Sequence, residues 1–248
     1  MLARIFGAPE AKRKVAEIAQ SLATDHHRPK LSDLLDSAGK VRRIVWVGIG
    51  LAVFQQLVGI NIIFYYGTVL WESVGFSESD SLLINVVSGV LSIAACIFTI
   101  FTVDRIGRKP LLIIGSIGMF LTLSAIAGSF ATGSLVNGTL QLSHPAGLVA
   151  LVSANLYVIF FNLSWGPVMW ILLGEMFPNQ IRGSGLAVAG FAQWIANYGI
   201  TVSFPVMAAS LGLVVTYGFY AASALVSFFF VRAMVNETKG VELEHMRG

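Results

Sequence analysis

Six apolar runs, at about 44–69, 82–103, 111–131, 147–173, 183–207 and 211–231, contain no Asp, Glu, Lys, Arg or His. Each reaches the length of about 20 residues that an α-helix needs to cross roughly 30 Å of hydrocarbon. Backbone in lipid must satisfy its own N–H and C=O groups, and runs that are apolar throughout, without strand-like alternation, do so as helices. Charge is scarce along the whole chain: 12% of the 248 residues are charged and 56% are hydrophobic, where a soluble domain carries about 25% charged residues. The prediction is an all-α polytopic membrane protein with a six-helix bundle at 44–234. A cytosolic segment (1–43) precedes the bundle and a cytosolic tail (235–248) follows it.

The basic residues orient the bundle. They crowd the first 43 residues and recur in DRIGRKP (Arg105, Arg108, Lys109), at Arg182, and at Arg232, Lys239 and Arg247. The alternate connections, around WESVGFSESDS, ATGSLVNGTLQLSHPAG and AASL, hold none. The positive-inside rule then puts both termini in the cytoplasm. A net charge of +3 is thereby explained as topology, and no nucleic-acid partner is called for. The first 43 residues contain no apolar h-region of a signal peptide. Within them, AKRKVAEIAQSLA carries a loosely helical apolar pattern suited to a cytosolic surface helix.

Spans one to three and four to six have opposite orientations, the pattern of an inverted repeat. The first span of each triplet is interrupted at a similar place, by Gly59 and by Gly166-Pro167. Matched Gly/Pro interruptions point to a transport site near the membrane midplane. Polar residues sit beside both. FQQLVGINIIFYY carries Gln55, Gln56, Asn61, Tyr65 and Tyr66; the fourth span adds Phe161, Asn162, Trp165 and Trp170; the fifth adds Gln193, Trp194, Asn197 and Tyr198. On a straight helix Gln55 and Tyr66 lie about 20° apart and Asn61 and Tyr65 about 40° apart, with Gln56 on neither stripe. Unwinding near Gly59 would gather more of them.

Two readings of these amides compete. They can be interhelical glue, worth about 0.6 kcal/mol per bond in a membrane. Alternatively they line a wet cavity that takes a neutral, hydroxyl-rich ligand, since amides both donate and accept and an ionic substrate would call for a charged partner in the spans. Gly48, Gly50, Gly115, Gly118, Gly183, Gly185 and Gly190 suit close helix packing. Cys96 has no cysteine partner and reads as a small buried hydrophobe. His26, His27, His144 and His245 lie outside the spans without metal-ligand spacing, and Asn137-Gly-Thr139 reads as a turn in preference to a glycosylation acceptor. No nucleophile–base pair, metal cluster or phosphate loop is visible, so neither an enzyme nor a cofactor is expected. The competing classes are a transporter, a membrane sensor that binds without flux, and a transport-incompetent fragment.

QQLVGINIIFYY, DRIGRKP, WGPVMWILLGEMFPNQIRG, AGFAQWIANY and NETKG together resemble the sugar porter family of the major facilitator superfamily. SWGPVMW and FAQWIANY are closer to bacterial proton–sugar symporters than to animal glucose facilitators. Members of that family have about twelve spans, so the resemblance implies that this chain is the carboxyl-terminal six-helix half. A missing amino-terminal half, or a second copy, would complete it in the cell membrane. Met1 then falls where a full-length member is midway through.

The resemblance implies a sugar or polyol site in which Gln55, Gln56 and Asn61 bind hydroxyls, with Tyr65 and Tyr66 in the pocket or its outer gate. Phe161, Gly166 and Trp170 would line the fourth-span wall, and Gln193 would contribute from the fifth. It also implies a conformational ion-pair network of Asp104, Arg105, Arg108, Glu175 and Arg182. One position departs: members commonly place Asn twelve residues before the acidic residue of the D/E-R-x-G-R motif, where this chain has Ser92. Proton coupling, on this reading, needs a carboxylate outside these spans.

Overall fold

The computed structural model describes residues 12, 13, 15, 30–73, 76–136 and 139–240. Most of AKRKVAEIAQSLA, together with His26, His27, Asn137, His245 and Arg247, lies outside the described residues; Lys12, Arg13 and Val15 are helical and exposed. A short 3-10 turn at Leu31–Leu34 leads into the bundle.

The first span is three pieces: α1 (Arg43–Leu57), α2 (Ile60–Tyr65) and α3 (Gly67–Ser73). Gly59 separates the first two at φ 85°, a left-handed conformation that costs glycine little and other residues more. The second span, α4 (Glu78–Ile106), starts at Ser77, whose hydroxyl accepts from the Asp80 N–H at 3.2 Å, with Glu78 and Asp80 favourably placed in the first turn. Gly107 alone separates it from α5 (Arg108–Ala131). The fourth span is broken between α6 (His144–Leu163) and α7 (Pro167–Met176), with Pro167 at the first helical position, where its missing N–H is harmless.

The last two spans form one assigned helix, α8 (Asn179–Met234), interrupted at Gly212, whose φ is 81°. The turn expected around AASL therefore falls slightly later, at the residue best able to take a positive φ. The chain reverses there. Along α1 and its continuation, Gln55 meets Gln193 and Tyr66 meets Thr201, so the first arm of α8 runs parallel to the first span. Past Gly212 the order inverts, with Tyr220 on Gly59 and Phe230 on Gly50.

The same contacts expose the inverted repeat. The third span packs antiparallel on the fourth (Gly115 on Ser164, Gly118 on Phe160), as the sixth packs on the first. The second runs parallel to the fourth (Ser88 to Asn155, Cys96 to Asn162), as the fifth does to the first. The third and sixth meet at their own equivalent, Ser116 to Ser227 at 2.8 Å. Exchanging spans one to three with four to six maps the third–fourth pair onto the sixth–first, the second–fourth onto the fifth–first, and the third–sixth onto itself. Lipid tails are as apolar as these side chains, so close packing and buried polar ties hold the helices together. Phe177 shows the packing: a Cβ on Gly48 or Gly185 would lie 2.7 or 2.9 Å from its ring. Gly190, by contrast, faces open space. Trp165 shows the ties, donating from Nε1 to Ser116 Oγ at 3.0 Å.

α4 is the outer helix, with Leu83, Val86, Val90, Ile93, Ile97 and Phe101 exposed in one helical stripe suited to lipid. The loop after α5 adds a feature the sequence did not announce, a hairpin of β1 (Ser134–Val136) and β2 (Thr139–Gln141) paired Val136 to Thr139.

Candidate functional site

The broken helices bring the amides together. On a straight helix Gln56 and Asn61 would face about 140° apart. The left-handed residue between them turns Asn61 back, and its Nδ2 donates to Gln56 Oε1 at 2.5 Å. Gln56 Oε1 also accepts from Asn197 Nδ2 at 3.2 Å. Gln55 Oε1 accepts from Gln56 Nε2 at 3.2 Å and from Gln193 Nε2 at 3.1 Å. Gln55 Nε2 in turn donates to Trp165 O at 3.1 Å and Gly166 O at 3.4 Å. Those two carbonyls are ones the Gly-Pro break deprives of helical partners.

Gln55 is consequently satisfied at both ends and stitches one helix break to the other. Gln193 is not: among the described residues its Oε1 is buried without a hydrogen-bond partner, and the residue is only 8% exposed. Asn61 and Asn197 are half-buried, each with one N–H committed to Gln56. The sequence offered Asn197 among the polar residues of the fifth span, whereas the resemblance alone passed over it.

The other candidate residues are placed differently. Phe161 is buried against Gly166, and Trp170 lies on the next helix piece, 41% exposed and outside the hydrogen-bonded cluster. Tyr66 donates to Thr201 O at 3.2 Å and stacks on Phe204 at 5.0 Å, tying the outer piece of the first span to the fifth. Tyr65 is 60% exposed and shares none of these bonds. Ser92 is half-buried between two polar contacts of its own helix: Ser88 donates to Asn155 Oδ1 at 3.0 Å, and Cys96 Sγ faces Asn162 Oδ1 at 3.5 Å. Cys96 is thus half-buried beside an amide and is not the wholly buried hydrophobe expected.

A second polar cluster sits at the end of the bundle that carries the basic residues. Arg108 grips Glu175 with two bonds, Nη2 to Oε1 at 2.6 Å and Nε to Oε2 at 2.9 Å, and pairs with Asp104 at 2.8 Å. Thr238 Oγ1 donates to Glu175 Oε2 at 2.5 Å. Among the described residues Arg105 joins only through its carbonyl, which accepts from Lys239 Nζ at 2.5 Å. Arg182 does not join: its Nε donates to Phe177 O at 3.2 Å and its Nη2 is buried without a partner.

Glu237 enters this cluster unannounced, from the NETKG segment. Its carboxylate accepts the backbone N–H groups of Arg108 and Lys109, both at 3.0 Å. These are the first amides of α5, which Gly107 has no side chain to cap. The carboxylate also accepts from Thr238 N and Lys239 N. Burial pushes the Glu237 carboxyl up, but these four N–H donors outweigh it and hold the group below its ordinary range.

An all-helical bundle of two inverted three-helix repeats, with an uncharged polar cluster between its two broken helices, defines a transporter-type membrane fold. The family model described as "Sugar (and other) transporter" matches residues 1–247, and the chain belongs to that family. It is 50% identical over 233 residues to a glucose transport protein of Synechocystis sp., covering 94% of this chain and 50% of that protein. It is 38% identical over 252 residues to the D-xylose-proton symporter of Escherichia coli K12, covering 99% and 48%. Two solved structures of the xylose symporter XylE superpose with TM-scores of 0.80 (a double Trp mutant) and 0.76 (bound to 6-bromo-6-deoxy-D-glucose). Each is 34% identical, and each match covers 99% of this chain and 50% of that one. The second is described as a proton:xylose symporter of the major facilitator superfamily. The chain thus spans about half the length of the curated relatives it matches.

Proposed function

We propose that this chain forms the carboxyl-terminal half of a transporter that carries a neutral sugar or polyol across the cell membrane by alternating access, with its termini in the cytoplasm. The observation that carries the reading is the cluster of Gln56, Asn61, Gln193 and Asn197 at the breaks of two spanning helices, with Gln193 Oε1 buried and unpartnered. A buried acceptor without a donor costs about 1–3 kcal/mol, and a sugar hydroxyl is the kind of donor that would relieve it. No charged side chain lies in the six runs, which suits a neutral ligand.

On this reading Gln55 is a positioning residue, while Gln56, Asn61, Gln193 and Asn197 touch the sugar. Phe161 and Gly166 form the wall, and Tyr65, Tyr66 and Trp170 border the path. Asp104, Arg108, Glu175 and Glu237 hold the inner ends of the helices together in one state of the cycle. An amino-terminal half or a second copy supplies the opposite wall, and any proton carrier belongs there, since these spans hold no carboxylate. Catalysis plays no part in this account, in keeping with relatives described as transporters.

The test is counterflow in proteoliposomes in which this chain is reconstituted together with the half that completes it, with radiolabelled glucose, xylose and myo-inositol as probes. Saturable uptake of one of them, lost in the Gln193→Ala variant, supports the proposal. Equal uptake by wild type, variant and empty liposomes overturns it.

A further inference from the structure

A cavity of about 300 Å³ lies at the charged end of the bundle, away from the amide cluster. α1, α7, the end of α8 and the segment that follows it line it. Ile44, Val47, Leu172 and Met176 form an apolar wall, and Arg43 and Asn236 stand among the polar groups that line it. Polar and apolar groups share its lining nearly equally, as suits an amphipathic ligand, and its size is at the small end of the usual range for ligand pockets.

Arg43 is the telling residue. The residue is exposed to solvent, and among the described residues its Nη2 reaches only the thioether of Met234, at 3.7 Å, a weak acceptor. Among the described residues no carboxylate pairs with it, and the ion pairs of this region belong to Arg108. Arg43 is also the first residue of α1, whose N-terminus no side chain caps. A cation at that helix end is unfavourable by the helix dipole, and a bound anion would reverse the sign of the interaction. The lining also includes Glu237, whose carboxylate is fixed by four backbone N–H groups. A second negative charge facing Glu237 would be repelled, so a singly charged head fits better than a doubly charged phosphate.

We propose that this cavity binds a single-chain carboxylate amphiphile, a medium-chain fatty acid, with its carboxylate on the Arg43 guanidinium and its chain against Ile44, Val47, Leu172 and Met176. The guanidinium fork matches a carboxylate with two parallel bonds, and the cavity's small volume favours one chain over the two of a bilayer phospholipid. Glu237 and Thr238 form part of the wall, so occupancy stabilises the arrangement in which Glu237 caps α5 and Thr238 bonds Glu175. The site is independent of the sugar reading.

The test uses the purified protein in nanodiscs of neutral phosphatidylcholine, with a diazirine-bearing dodecanoate as probe. Photolabelling is expected to saturate on peptides containing Val47 and Met176 and to be competed by dodecanoate. Arg43→Gln should raise the half-labelling concentration about 10-fold or more, as loss of a charge-assisted fork implies. Ala233→Phe, which fills the cavity from an exposed position, should abolish labelling there while the protein still elutes as a single species. Arg232→Gln, a likewise exposed cation outside the lining, should change it less than about 2-fold, because it does not touch the cavity. Unchanged labelling in both Arg43→Gln and Ala233→Phe overturns the proposal. So does equal labelling by the corresponding dodecanol, or stronger labelling by dodecyl phosphate.

Discussion

The two polar clusters solve the same problem with opposite chemistry. In each, a side chain from a distant part of the chain satisfies backbone groups that a helix end leaves open. Midway along the spans, the neutral amide of Gln55 donates to the orphan carbonyls of Trp165 and Gly166. At the charged end, the carboxylate of Glu237 accepts from the orphan amides of Arg108 and Lys109. Hydrocarbon makes an ionised group expensive at the first place and water makes it tolerable at the second. The difference that matters for function is completeness. The charged cluster engages the carboxylates of Glu175 and Glu237 with several donors each, while the amide cluster leaves Gln193 Oε1 buried and empty-handed. We read the completed cluster as a clamp and the incomplete one as a site.

That contrast can be broken most forcefully at Glu175. Glu175→Ala leaves Arg108, whose side chain is 11% exposed, with Asp104 as its remaining carboxylate. Breaking a buried pair costs about 3–5 kcal/mol, and with Asp104 still in place the low end is expected. Denaturant unfolding in detergent measures it; a loss under about 1 kcal/mol would mean the clamp is solvent-screened decoration.

Next in size is Gln55→Leu, expected to cost about 1–3 kcal/mol by stranding two carbonyls. Gln193→Leu should cost less stability, because its Oε1 has no partner to lose, and more sugar affinity. The same loss of stability from both variants would erase the distinction between stitch and site.

Glu237→Gln separates charge from shape at the α5 cap, an effect of about 0.3–1 kcal/mol. Because the folded state holds this carboxyl below its ordinary range, its contribution is full above the unfolded carboxylate pKa of about 4.3. It is then lost as pH falls through the lower folded value. Wild-type stability should therefore decline on acidification over that window more than the stability of Glu237→Gln. Parallel pH profiles would show that Glu237 is not the group involved. Tyr66→Phe, which removes one bond to Thr201 O, should cost the least, about 0.6 kcal/mol.

How far the sequence reached follows the same division. The six spans and their inversion were legible because charge exclusion and the distribution of basic residues are properties of whole segments. The gathering of Gln55, Gln56, Asn61 and Gln193 was legible because Gly59 and Gly166-Pro167 mark the breaks beside them. The role of Gln55 was not, since nothing local says that its partners are carbonyls more than a hundred residues away. Glu237 was missed for the same reason: it caps a helix that starts 129 positions earlier, beyond the reach of any local capping pattern. Arg182 was drawn into the network by the family resemblance, yet its guanidinium folds onto Phe177 O. The turn between the last two spans was legible at AASL but not its exact residue, Gly212, because the sequence is apolar on both sides, and the β1–β2 strands were hidden by their shortness.

The central claim is that the unpartnered acceptor of Gln193 marks where a sugar binds. Equilibrium binding of radiolabelled glucose and xylose to the purified protein, compared between Gln193→Ala and Glu237→Gln, tests it most directly. The account predicts that Gln193→Ala weakens binding of the preferred sugar by about 10-fold or more, while Glu237→Gln leaves it within about 2-fold. Wild-type affinity in Gln193→Ala would contradict it.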